Sequence, residues 1–460
     1  GFVLVPFALW NKTSFLADSL GMISLAPLLL ALRSETLRDL FPAGAWIELL
    51  VLSVLAVAVS WLAFSQSTYP VLFAIFPVLT LAAFRLRFVG TSLMVALVAA
   101  GCAARSVREP PSPLVEFTPR ASIETLWTAD IGSGAGRQML RPALHDGVVY
   151  AADAKGEVGA YRADTGRRVW ETDLGLPVSG AVGVGEGLVL IGTRKGALIA
   201  LEAASGKELW RAGVSSEVLA PAVAHRGVVA VQTVDGKIVG LSAQDGKRLW
   251  LYERAEPALS LRGTSAPIIV DDVVLSGFAS GRLVGLQLRD GRVLWELPVS
   301  QPRGRNEIER LVDVDASPIV RGDMLYAVSY RGKLVAANLR AGSVAWSRDI
   351  SSYAGLALDE KNVYVTDDVG QVYAFDQRSG ANVWRQEKLR GRDLSAPMYV
   401  DGRLAVGDAE GYVHYLAVDD GSLLARQRVA GGPVRLGVAQ GNTLYVSASD
   451  TLAALRAVDR

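Results

Sequence analysis

Cys102 is the single cysteine in 460 residues, which limits the chemistry open to it. A lone thiol closes no intramolecular disulfide and builds no cysteine-rich zinc site. Its surroundings suit a different reaction: Ala99, Ala100 and Gly101 leave the preceding peptide bond open to a peptidase and the sulfur open to acylation. His145, His225 and His414 are too few and too scattered for a histidine metal cluster. The carboxylates Asp164, Asp245, Asp290 and Asp420 sit beside glycines in turn sequences, where they cap backbone amides rather than gather at a site. No catalytic residue, metal or cofactor is expected. With 47 basic and 46 acidic residues there is also no field to draw in nucleic acid.

The segment carrying Cys102 comes after a run of membrane-like sequence. Apolar stretches span Phe15 to Leu32, Trp46 to Phe64, Tyr69 to Phe84 and Phe88 to Ala104. Each is near the length that crosses about 30 Å of hydrocarbon as a helix. Arg33 and Arg38 come after the first and Arg85 and Arg87 after the third, whereas residues 65–68 carry no charge. Basic loops stay cytoplasmic, so the fourth stretch exits outward and delivers the rest of the chain to the periplasm. Asp18 and Glu48 lie near the ends of their stretches and read as interfacial rather than functional carboxylates. The pattern of residues 15–33 and 69–84 resembles the multi-helix sensory domain of bacterial signalling proteins, although the chain carries no signalling domain after it.

A second reading competes for residues 85–102. Two arginines, an apolar run and Ala-Ala-Gly-Cys resemble a lipoprotein signal, with Ala99 where such signals usually carry leucine. By that resemblance Cys102 is lipidated, and Ala103 directs sorting to the outer membrane. The alternative is a core cysteine in a fourth helix of an inner-membrane multi-pass protein. Upstream helices do not belong before such a signal, which leaves a natural fusion and a mis-joined reading frame both open. The expected organisation is therefore residues 1–102 as transmembrane helices ending in that signal, 103–119 as a polar, Pro-rich flexible tether, and 120–460 as one exported domain.

The exported domain is periodic. Gly156, Gly196, Gly236, Gly281, Gly332, Gly370 and Gly411 each stand fourteen residues before Trp170, Trp210, Trp250, Trp295, Trp346, Trp384 and Ala425. A second glycine lies four residues before each: Gly166, Gly206, Gly246, Gly291, Gly342, Gly380 and Gly421. The frame describes a strand, a tight glycine turn and a returning strand that ends in tryptophan. Two more strands precede each pair, which makes a four-stranded blade. Seven repeats end at Ala425. Three further strands, Val434–Ala439, Thr443–Ala448 and Leu452–Val458, find their fourth partner in residues 123–129, where Trp127 takes the tryptophan place. The fold expected is all-β, a closed eight-bladed β-propeller. The tryptophans read as wedges between blades, each burying about 150–250 Å², with cofactor stacking as the alternative. At about 25 cal/mol per Å² that is at most roughly 4–6 kcal/mol apiece. Ala425 predicts a loosely packed blade unless Tyr415 fills the gap.

The turn pattern D/S-G-x-x-x-W resembles that of quinoprotein alcohol dehydrogenases, which implies a quinone bound on an eight-bladed ring. That family's vicinal cysteine pair is missing, and a quinoprotein-like dehydrogenase stays only as an alternative, beside a membrane-anchored periplasmic sensor. The scaffold reading starts from spacing. Successive tryptophans from Trp127 are 43, 40, 40, 45, 51 and 38 residues apart. The two longest intervals are consecutive, so two long loops emerge side by side on one face, where a rigid scaffold usually binds. These are ALSLRGTSAP at 258–267 and RGRNEIERLVDVDASP at 303–318.

Both loops, DGRLAVGDAEGYVHYL at 401–416, and the span from about Phe117 onward resemble the propeller lipoproteins of the outer-membrane β-barrel assembly machinery, the B subunits of the Bam complex. The resemblance implies a non-catalytic, monomeric scaffold lipid-anchored on the periplasmic face of the outer membrane. Its partner would be the periplasmic domains of the central barrel-inserting subunit. The matching positions for that contact are Leu259, Leu261, Arg262, Asp313 and Asp315. Arg262 paired internally with Asp313 or Asp315, stapling the loops, is a compatible second role.

Overall fold

The computed structural model describes residues 110–132, 140–257, 261, 263–302 and 310–460. The expected membrane helices, Cys102, Leu259 and Arg262 lie outside the described residues. Among the described residues, no helix is long and apolar enough to cross a membrane.

Among the described residues thirty-two strands, numbered β1–β32 in chain order, pair into eight antiparallel four-stranded sheets. In the first blade the order is β2 (Ala143–His145), β3 (Val148–Ala152), β4 (Glu157–Arg162) and β5 (Arg168–Asp173). Opening strands of neighbouring blades touch around most of the ring: β2 meets both β6 (Gly183–Gly185) and β30 (Val434–Gln440). These strands therefore surround the axis and the fourth strands form the rim. The eighth blade is built from both chain ends. β30, β31 (Thr443–Ala448) and β32 (Thr451–Asp459) are completed by β1 (Ala121–Asp130), with Ala121 opposite Asp459. The ring closes without an unpaired edge between its ends.

The tryptophans explain why the repeat has its spacing. Trp170 stands opposite Ala160 on the neighbouring strand, Trp210 opposite Ala200, and Trp250 opposite Gly240. A small partner leaves room for the indole to lie across the gap. The ring then settles on the turn glycine of the next blade. A Cβ on Gly166 (φ +67°) would lie 2.5 Å from the Trp127 ring, so glycine is required there for both contact and conformation. The indole N–H donates to a carbonyl of that same turn: Trp127 to Ala163 at 2.8 Å, Trp210 to Ala243 at 2.8 Å, Trp384 to Val418 at 2.7 Å. Trp127, Trp170, Trp210, Trp250, Trp346 and Trp384 thus each fill a space and satisfy their own polar atom, whereas Gly342, the turn glycine of the blade after Trp295, has nothing within 4 Å of the place of a Cβ. One detail differs from the expectation drawn from spacing. The outer strand does not end at the tryptophan but runs on to Asp173 in the first blade, with a bulge at the residue before Trp170. Ladder hydrogen bonding continues past the indole because the bulge turns it inward without ending the strand.

Ala425 has a geometric cause. Its neighbour is the eighth blade, where the turn between third and fourth strands is replaced by the two chain ends. No turn glycine exists there to receive an indole. The volumes are exchanged across the strand pair: Tyr415 stands opposite Ala425 and is fully buried beside it in one apolar cluster.

Residues 110–117, the later part of the expected tether, lie against the sixth and seventh blades. The Ser112 amide and hydroxyl donate to the Arg390 carbonyl at 2.9 and 2.7 Å. Val115 and Phe117 pack on the cluster containing Trp384 and Leu394.

Candidate docking site

The two long connections join blades three, four and five on one face. Residues 254–267 lead from β13 (Arg248–Glu253) to β14 (Ile268–Val270), and residues 299–318 from β17 (Val293–Pro298) to β18 (Ile319–Arg321). Segment 311–316 is almost wholly buried, with only Asp315 partly exposed. Val312 and Val314 are buried, Val314 against Gly277, whose missing side chain makes the space. The Val314 amide donates to Phe278 O at 3.2 Å, and Asp313 O accepts from the Tyr330 amide at 2.8 Å. The segment is thereby clamped between the turns of two blades.

That clamp fixes Asp313 and Asp315. Asp313 is 0% exposed, and its Oδ2 accepts the Leu261 amide proton of the other loop. Asp315 lies under the same loop: a Cβ on Gly263 would sit 2.7 Å from its carboxyl carbon, so a larger residue would push the loops apart. Ser265 Oγ donates to Ala316 O at 3.4 Å and the Ala266 amide to Ser317 Oγ at 3.2 Å. The loops are stitched by backbone and hydroxyl contacts. Of the five positions singled out from sequence, Leu261, Asp313 and Asp315 are brought together, while Leu259 and Arg262 lie outside the described residues.

Glu256 also belongs to this site, and reasoning from sequence missed it. It stands twenty residues after Gly236, in the place of Leu176 after Gly156 and Ser216 after Gly196. A carboxylate at that repeat position, in the loop where spacing departs from the period, was the available signal. Burial raises its pKa to about 7, and Asp313 adds to the rise; Arg254 and the amides of Ser280 and Ala279 act against it. Burial lifts Asp313 to about 6 against the Leu261 N–H. Burial, then Asp313 and Glu256, lifts Asp315 to about 8. The nearby cation is committed elsewhere, since Arg254 Nη1 pairs with Glu296 at 3.0 Å. Glu256 Oε2, Asp313 Oδ1, Thr264 Oγ1 and Ser280 Oγ are buried without a hydrogen-bond partner. Among the described residues no three His, Cys, Asp or Glu side chains are arranged to hold a metal ion.

Comparison with known proteins agrees with this fold. The family model described as outer membrane protein assembly factor BamB matches residues 115–181, 154–386 and 369–460. The protein of that name from Alkalilimnicola ehrlichii is 49% identical over 372 residues, covering 80% of this chain and 96% of its own. That from Pseudomonas aeruginosa is 47% identical over 358 residues, 77% of this chain and 94% of its own. The crystal structure of BamB from Moraxella catarrhalis superposes with a TM-score of 0.68 at 30% identity, covering 73% of this chain and 99% of that one. A quinohemoprotein alcohol dehydrogenase from Comamonas testosteroni reaches a TM-score of 0.59 at 13% identity and shares the fold alone. An eight-bladed ring matched along its length, with identities near one half to assembly factors and near one eighth to a dehydrogenase, places the chain in the BamB family of outer membrane protein assembly factors.

Proposed function

We propose that this chain is a non-catalytic scaffold of the outer-membrane β-barrel assembly machinery, facing the periplasm and held at the outer membrane by a lipid on Cys102. It docks through the loops 254–267 and 299–318 on the periplasmic domains of the central barrel-inserting subunit. The observation that carries the docking reading is the stitching of Leu261 to Asp313. It makes two insertions from adjacent blades into one surface rather than two independent loops. Leu259 and Leu261 supply a small apolar core, and Arg262, Asp313 and Asp315 orient the partner. The test is a calorimetric titration of the chain with those periplasmic domains. Arg262→Glu weakens association by on the order of 2 kcal/mol or more, since a partly desolvated arginine is a frequent hot spot. Charge reversal at Lys247, exposed in a turn on the far side of its blade, leaves it unchanged. Retained binding by a folded Arg262→Glu, Asp313→Lys variant removes the docking patch.

A further inference from the structure

We propose that residues 110–120 are a strap that turns the long-loop face of the ring toward the lipid surface on which the chain is anchored. This rests on the reading of Cys102 as the anchor and adds to it which face of the propeller that anchor holds near the membrane.

The strap crosses the whole height of the seventh blade. In blades one to seven, the link between second and third strands and the passage to the next blade lie on one face of the ring. The other two turns lie on the opposite face. Loops 254–267 and 299–318 are two such passages, so they mark the first face. Residues 387–397, from β25 (Asn382–Gln386) to β26 (Met398–Val400), are another passage on that face. The strap begins there. The Ser112 amide and hydroxyl donate to Arg390 O, Arg392 Nη1 donates to Ser112 O at 2.9 Å, and a Cβ on Gly391 would lie 2.7 Å from Pro110 O. It then runs against β29 (Leu423–Arg428), where Arg426 donates to Val115 O at 3.2 Å and covers the Phe117 ring at 5.5 Å. It ends on the opposite face. The Arg120 amide donates to Leu424 O at 3.0 Å and its guanidinium to Ser422 Oγ, beside the turn that opens β29. β1 starts at the next residue, Ala121.

This course moves the point of suspension from one face to the other. Without the strap the chain would leave the ring at Ala121, on the face away from the long loops. The stretch back to Cys102 would then reach about 63–68 Å when extended. With the strap seated the chain leaves at Pro110, on the long-loop face, and the stretch back to Cys102 reaches at most about 26–29 Å. A strand the length of β29 rises about 20 Å, so the shorter leash barely exceeds the height of the ring. The face that it leaves is therefore the one kept close to the lipid. The charge of that rim suits the same neighbour. Lys388, Arg390 and Arg428 are exposed there, whereas Glu387 and Glu410 are paired with Arg385 and Arg392. Basic side chains beside a bilayer are drawn to anionic headgroups.

The test measures the distance of each face from the bilayer. The full chain, acylated at Cys102, is reconstituted in vesicles of phosphatidylethanolamine and phosphatidylglycerol that carry an acceptor dye at the headgroups. Acylation blocks the single native thiol, so Lys388→Cys or Asp419→Cys takes a donor dye alone. Both positions are exposed, the first on the long-loop face and the second on the opposite one. Energy transfer from position 388 exceeds that from 419 by about twofold, the two labels differing in height by about 20 Å. Ser112→Pro with Phe117→Ala removes both Ser112 donors and a packed ring, and should abolish or reverse that difference while the propeller still melts cooperatively. Should that variant not fold, eight Gly-Ser residues inserted between Glu109 and Pro110 lengthen the leash with the strap seated, and transfer from 388 should fall. Equal transfer from the two positions in the parent, a difference that survives release of the strap, or no response to the insertion overturns the proposal. A parent that carries no acyl group by intact mass and does not reach the vesicle fraction removes the anchor reading and the proposal with it. That result is distinct from an anchored parent whose two faces lie equally near the lipid.

Discussion

Arg392 Nε lies 2.8 Å from Asp408 Oδ2, with the two side chains 2% and 0% exposed. The same oxygen receives His414 Nε2 at 2.9 Å, so one carboxylate serves two buried donors in the seventh blade. Arg392 also reaches outward: its Nη1 donates to Ser112 O at 2.9 Å, while Arg426 Nη1 donates to Val115 O at 3.2 Å and covers the Phe117 ring. A buried ion pair inside the blade thus clips the segment that precedes the propeller. Removing one partner of such a pair strands the other charge. Arg392→Ala is expected to cost about 3–5 kcal/mol in denaturant unfolding. It also frees residues 112–115, read as faster amide exchange at Ser112. A loss near zero would mean that the clasp contributes nothing to folding.

The seventh blade and the two long loops respond to pH with opposite signs. Burial pushes Asp408 up, but hydrogen bonds from His414, the Tyr412 amide and Arg392 outweigh it and hold its pKa low. Burial depresses His414 despite Asp408 beside it. Groups with depressed folded pKa values bind more protons when unfolded. Their stability is present above the unfolded values, about 6.5 for histidine and 4 for aspartate, and is lost on acidification. Glu256, Asp313 and Asp315 are raised, to about 7, 6 and 8. Their contribution is full below the unfolded carboxylate range near pH 4 and declines as pH rises through 6 to 8. Melting temperature should therefore fall on both sides of a maximum in mildly acidic buffer. Glu256→Gln with Asp315→Asn should flatten the alkaline side alone, as thermal melts from pH 4 to 9 would show.

The wedge model makes a paired prediction in neighbouring blades. Trp210→Ala empties the space over Gly246 and is expected to cost about 3–5 kcal/mol. Restoring the missing tryptophan is no remedy. Ala425→Trp meets Tyr415 across the strand pair and should destabilise by about 1–3 kcal/mol through overpacking. If Ala425→Trp raised the melting temperature, the volume exchange with Tyr415 would be disproved.

These cases mark what the sequence could disclose. Glycine and tryptophan recur because every blade solves the same packing problem, so Gly166 and Trp170 were visible as a period without knowledge of any contact. The receiver of each indole was not visible, because Trp127 and Ala163 lie in different blades. Arg392 and Ser112 meet only after the chain has gone nearly once around the ring. Glu256 was hidden differently. It sits at an ordinary repeat position, and its importance comes from burial and two aspartates that the fold delivers from another loop.

The proposed function separates membrane attachment at Cys102 from binding through loops 254–267 and 299–318. Cys102→Ser is expected to leave an unprocessed precursor, seen as a higher mature mass, with docking in solution intact. Unchanged mass and fractionation would instead favour a cysteine within a fourth helix.

Asp313 permits the sharpest division between shape and charge, because its two oxygens have different tasks. Oδ2 accepts the Leu261 amide and joins the loops, whereas Oδ1 has no partner. Asp313→Asn retains an acceptor for Leu261 and removes the charge. Its amide can present oxygen to the loop and nitrogen to the unpaired side, so the fold should be unaffected or slightly firmer. Asp313→Ala removes the acceptor as well and leaves the Leu261 amide unsatisfied, at about 1–3 kcal/mol. Both variants should dock more weakly, but only the alanine variant should melt lower and expose loop 254–267 to protease. The measurement is a melt and a titration on each, with limited proteolysis of the free chain. Should Asp313→Asn dock like the parent, the carboxylate's charge has no part in recognition, and the site is held by its stitched shape alone.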